Sequence, residues 1–152
     1  MNWWKSFTSK VSIARQLSLR DWLLMAEAWW VLTGFHLALR WVSLERLERT
    51  FRLSGSRAGS TGRLPLARQL QRLVTLASRL HFLPVACLAR ACTLHWMLGR
   101  GGVPSRLCIG VDKSSQGFYA HAWVNVEGEA VGEPGDISTL FKVLNSLEPE
   151  KP

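Results

Sequence analysis

Acidic residues are scarce in the first half of this chain: through residue 81 there are 4 Asp and Glu against 13 Lys and Arg, and beyond it 7 against 6. The formal charge of +8 therefore belongs to the N-terminal half. That patch suits an acidic peptide, a partner protein or a phosphate-bearing ligand as well as nucleic acid. Zinc-finger spacing, an aromatic RNA-binding signature and a clear helix-turn-helix are all missing, so the expectation is no nucleic-acid partner; for any one arginine the ordinary reading is a solvated helix face. Cysteine is sparse as well, with three residues at spacings of 5 and 16. An odd set of that kind builds no disulfide framework, and with no cleavable signal peptide it points to a reducing cytoplasm. No Cys, His or acidic pair stands at a familiar zinc spacing, which argues against a metal site. Nothing in the sequence requires a cofactor, and dependence on nucleotide is left open. No internal repeat is present. Residues 22–42 approach the length of a membrane span, but Glu27, His36 and Arg40 interrupt them at a cost of roughly a few kcal/mol each at bilayer depth. A buried or interfacial helix is expected there.

What is present is a chain of 152 residues, 47% hydrophobic and 20% charged, the size of one domain with a real core. Six of its eight tryptophans lie in the first 41 residues. Such a broad apolar surface has to be buried against the domain, a partner or a membrane. Trp3, Trp4 and Phe7 could anchor a short amphipathic turn. At Ser18 the sequence "SLRD" sets an acid three residues after a capping serine, which predicts a helix from Leu19 to Val42, apolar nearly all round and so buried on most sides. Ser43 caps a second expected helix, "LERLERTFRL", and "SGSRAGSTG" at 54–62 reads as a flexible loop. Pro65 opens a further helix with Leu66, Leu70, Leu73, Ala77 and Leu80 on one stripe, and His81 near its end as a C-terminal cap.

Pro84 then opens a helix in which Cys87, Ala91, Leu94 and Leu98 share one stripe, ended by "GRGG" at 99–102. From there the period changes to two. Residues 106–112, 117–126 and 129–133 read as strands, with "ISTLFKVLNSL" a short helix or a final strand. The pattern gives an α+β fold, divided into an N-terminal helical lobe and polar loop (1–63) and a catalytic core (64–152), expected to form one compact unit.

A cysteine in the first turn of a helix faces unpaired N–H groups and the positive end of the dipole, both of which favour the thiolate that nucleophilic chemistry needs. Cys87 has that placement; Cys92 and Cys108 lack it and read as core. Position alone would still make Cys87 a small core residue. His121 lies mid-strand with Tyr119, Trp123 and Asn125 on its face, and Ala120, Ala122, Val124 and Val126 on the packing face. If Gly128 closes a three-residue loop with a bulge, His121 pairs with Glu133. A two-residue loop slips the register, turns Glu133 away and makes Asp136 the better carboxylate. A Cys-His-carboxylate set on a helix start and adjacent strands is the papain-like arrangement for acyl transfer, with the Cys87 backbone N–H as one oxyanion donor.

These residues carry a resemblance. Cys87, Leu88 and Arg90, then Leu98 to Pro104, Ile109 to Val111, and Ala120 to Val124 resemble the transglutaminase-like core of the lasso-peptide leader peptidases. The resemblance covers about 82–136, and the Arg-rich N-terminal helices are compatible with it. It implies a cysteine protease that cuts the leader from a ribosomally synthesised precursor, with Cys87 as nucleophile, His121 as base and a third residue that is aspartate in the family. That leaves Glu133 and Asp136 both open. It further implies a free-standing form without the leader-recognition domain. Its partners would be a separate recognition protein holding the leader peptide and the macrolactam synthetase, with the basic, Trp-rich half docking partner, leader or membrane. Two alternatives stand beside it: an acyl transferase of the same superfamily, and a catalytically inert peptide-binding or membrane-associated adaptor.

Overall fold

A computed structural model describes residues 17–43, 46, 62–112, 119–133, 137 and 141–147. The expected turn at Trp3, Trp4 and Phe7, nearly all of the helix after Ser43, the loop at 54–61 and Asp136 lie outside the described residues. Helix α1 (Leu19–Ala38) begins as the sequence predicts. The Asp21 amide donates to Ser18 Oγ at 3.2 Å, and the Ser18 amide donates to Asp21 Oδ2 at 3.0 Å, which closes a reciprocal capping box. Asp21 also accepts from Gln69 Nε2 at 2.6 Å, tying the start of α1 to α2 (Leu64–Arg79). The Ser18 and Gln69 hydrogen bonds hold the Asp21 carboxyl below its ordinary range.

Helix α1 is not buried on most sides. Met25, Ala28 and Leu32 face the core, while Leu19, Leu23, Trp30 and Leu37 are exposed. The reason is that α2 and α3 (Cys87–Arg100) are its main neighbours among the described elements, and two neighbours cover one side of a helix. Burying Leu32 completely stabilises the fold by roughly 2 kcal/mol. In α2 the buried stripe is Ala67, Leu70, Leu73, Val74 and Ala77, and Leu80 lies exposed beyond the last turn. His81 does not cap that helix. Its Nδ1 accepts from the Leu83 amide at 3.1 Å and its Nε2 donates to Thr33 Oγ1 at 2.9 Å, so it links the loop ahead of α3 to α1.

The sheet is antiparallel, in the order β3-β2-β1-β4, with β1 Arg106–Asp112, β2 Ala120–Val126, β3 Glu129–Ala130 and β4 Phe141–Leu147. The C-terminal segment is therefore a strand. One core joins Met25 and Leu32 of α1, Leu70 of α2 and Leu98 of α3 to Leu107 and Val124 of the sheet, so helices from both sides of residue 63 share it. A second, smaller core on the opposite sheet face gathers Cys108, Trp123 and Ile137. The architecture is α+β, three described helices on a four-stranded sheet.

Candidate active site

Pro84 and the extended Ala86 (φ −67°, ψ 156°) deliver the chain into α3, whose first residue is Cys87. Alanine offers no side-chain acceptor, and no cap bond is made there. The first helical bond runs from the Arg90 amide to Ala86 O at 3.2 Å, so the amides of Cys87, Leu88 and Ala89 lie ahead of it. Cys87 is half-buried against the main core, whereas Cys92 and Cys108 are buried. Burial pushes the Cys92 thiol up to about 12 and raises that of Cys108 as well, which keeps both protonated and inert. The helix that starts at Cys87 packs on β2, the strand of His121.

His121 and Glu133 meet. His121 Nε2 lies 3.0 Å from Glu133 Oε1, with side chains 16% and 23% exposed. The carboxylate occupies Nε2 and leaves Nδ1 as the nitrogen available to a thiol. Among the described residues no hydrogen bond joins Cys87 to His121.

The route by which Glu133 arrives differs from the expected one. The loop has two residues: Glu127 and Gly128 both take positive φ (52° and 85°), Val126 pairs with Glu129 and Asn125 with Ala130. This is the primed two-residue turn, and its register alone would face Glu133 away from His121. Pairing stops at Ala130, however. The Val131 amide still donates to Val124 O at 2.9 Å, and then a tight turn closes from the Glu133 amide to Ala130 O at 3.4 Å with Gly132 at φ +82°. That turn swings Glu133 back onto the imidazole. Gly132 is the residue the sequence reasoning missed. A Cβ on it would stand 2.1–2.7 Å from the side chain of Gln71 on α2, besides the strained φ. A glycine immediately before a candidate carboxylate was the available signal.

The His121 face is not an open cleft lining throughout. Trp123 is buried at 3%, packed with Cys108, Ile137 and Phe141, while Tyr119 stays exposed. Burial lowers His95 to about 4, and its Nδ1 lies 2.8 Å from Ser105 Oγ. Among the described residues no group of His, Cys, Asp or Glu could hold a metal ion, and no helix is long and apolar enough to cross a membrane.

Comparison with curated proteins and with solved structures returned no match. A family model for the transglutaminase-like superfamily, whose members are commonly cysteine-based enzymes, matches residues 29–146, from within α1 to within β4. With a half-buried cysteine opening α3, a histidine–carboxylate pair on the sheet it packs against and most of its length matched, the chain belongs to the transglutaminase-like superfamily.

Proposed function

We propose that this protein is a cysteine peptidase that removes the leader from a lasso-peptide precursor. The observation that carries the reading is the 3.0 Å pair between Glu133, on the turn after β3, and His121, on the strand against which the Cys87 helix packs. The match of Cys87, Leu88, Arg90 and the run Ala120 to Val124 to the leader-peptidase pattern narrows the reading within the superfamily. In this mechanism His121 Nδ1 takes the thiol proton, and the Cys87 sulfur attacks the carbonyl carbon of the last leader residue. The oxygen that becomes negative is met by the Cys87 amide at the start of α3, whose first-turn N–H groups have no competing cap. The imidazolium then gives its proton to the departing amine, the new N-terminus of the core peptide. Water, deprotonated by the same nitrogen, releases the leader as a free acid. Glu133 holds the ring and stabilises its charged form.

A separate recognition protein carrying the leader would present the scissile bond, and the basic N-terminal half is suited to dock it. The macrolactam synthetase would consume the freed amine. The test mixes protein, recognition partner and precursor and reads the products by mass spectrometry. Wild-type protein is expected to give leader acid and core peptide, and Cys87→Ala and His121→Ala to give neither while still binding the partner. Cleavage by Cys87→Ala would sink the reading. A leader joined to an added amine in place of water would move the protein to acyl transfer.

A further inference from the structure

Glycine weakens a strand interior, since it brings no side chain to pack and loses the most freedom on folding, so a glycine in mid-strand usually marks a close approach. Gly110 in β1 is such a case. It is the cross-strand partner of His121, and the β1–β4 register shifts between Ile109 and Gly110. Cross-strand partners project to the same face, so a side chain at 110 would stand beside the imidazole. That space is already taken. A Cβ on Gly110 would come 2.9 Å from Trp123 Cη2, 3.0 Å from Trp123 Cζ3 and 3.0 Å from Phe141 Cβ.

The same two residues wall the imidazole. The His121 ring centroid is 6.1 Å from that of Trp123, with planes only 17° apart, and 5.5 Å from that of Phe141. Trp123 and Phe141 are 6.1 Å from each other, which closes the triangle. The carboxylate that meets this ring is Glu133, on the turn after β3, while the helix that Cys87 opens packs against β2.

We infer that Gly110 is a positioning residue for His121: its missing side chain is the slot in which Trp123 and Phe141 lie, and those two rings fix the imidazole so that Nε2 meets Glu133 and Nδ1 is left for the thiol. Glu133 alone cannot do this, because one hydrogen bond leaves the ring free to pivot about it. Two walls and one bond define its plane. The catalytic half of this statement rests on the peptidase reading; the geometric half does not.

The test uses full-length protein labelled with ¹⁵N-histidine, and reads the His121 ring nitrogens by NMR together with steady-state cleavage of the precursor. In wild type the His121 Nε2–H signal is expected to shift on Glu133→Gln. Gly110→Ala is expected to reproduce that shift and to lower kcat roughly 10- to 100-fold with KM little changed. Should Gly110→Ala fail to fold, Phe141→Leu, which removes a wall without adding bulk, is expected to move the same signal. A folded Gly110→Ala protein, or Phe141→Leu, with an unaltered His121 signal overturns the inference even if leader cleavage is confirmed. A shifted signal in a protein that never processes the precursor removes the peptidase reading and leaves Gly110's positioning of the ring standing.

Discussion

On the helix side of the sheet, Leu107, Ala122, Val124 and Val126 are aliphatic and almost fully buried, while on the other side the same two strands present Cys108, His121 and Trp123, backed by Phe141. The first face packs against α3, shares one core with α1 and α2, and resembles any α+β core. The second is a smaller cluster in which a titratable ring is held by aromatic neighbours and a carboxylate. The difference separates what the fold needs from what the chemistry needs, down to alternate residues of one strand. Changes on the helix side should cost stability and spare the chemistry of folded molecules; changes at the pair on the other side should do the reverse.

The largest effect expected is on the chemical side. Glu133→Gln keeps the shape of the side chain and removes its charge, so cleavage should fall roughly 10²- to 10⁴-fold, with thermal stability nearly unchanged. Retained activity would assign the carboxylate role elsewhere. Next is Leu107→Ala, which should destabilise the fold by about 2–5 kcal/mol, seen as a lower urea midpoint with an unchanged slope, while activity per folded molecule stays the same.

His95 offers a pH test on the helix that carries Cys87. Burial lowers its imidazole from 6.5 to about 4, so the unfolded chain binds this proton more readily than the folded one. Stability from this source is complete above about 6.5 and is lost progressively as pH falls toward 4, on the order of 2–3 kcal/mol. His95→Gln should flatten that loss in denaturation curves taken at pH 7 and pH 4.5.

The smallest effect is at Ala86. Ala86→Ser supplies a cap worth about 1 kcal/mol, raising the melting temperature. The hydroxyl takes the Leu88 or Ala89 amide and leaves that of Cys87 to the reacting oxygen, so turnover should stay within about twofold. A many-fold slower Ala86→Ser enzyme would show that the Leu88 or Ala89 amide also faces that oxygen.

Much of this organisation was legible in the sequence where the signal was local. Ser18 with Asp21, Pro65 and Pro84 marked three helix starts within three residues, because caps and prolines act on their own turn of chain. β1 matched residues 106–112 because turn residues bound it on both sides. The hairpin register was left open between a three- and a two-residue loop: Glu127, a non-glycine residue at positive φ, made the two-residue loop, which its side chain does not advertise. Glu133 reaches His121 through a turn at Gly132 lying against Gln71, 61 residues away in sequence, and no local pattern encodes such a contact. The exposed flank of α1 went unread for a related reason, since periodicity reports which residues are apolar and not how many neighbours arrive to cover them.

The ties between distant parts of the chain have a kinetic consequence. Arg100 pairs with Glu27, Arg68 holds Glu129 in two parallel bonds, and Glu127 accepts from the amides of Gly62 and Arg63, across sequence separations of 61 to 73 residues. Closing such spans costs loop entropy before the contact returns anything, so these ties should form after the hairpin and helices have met. Their loss would then steepen the escape from the native state and leave the speed of reaching it alone, moving only the unfolding arm of the chevron. The charged clamps at the rim of this fold thus act as latches on its lifetime.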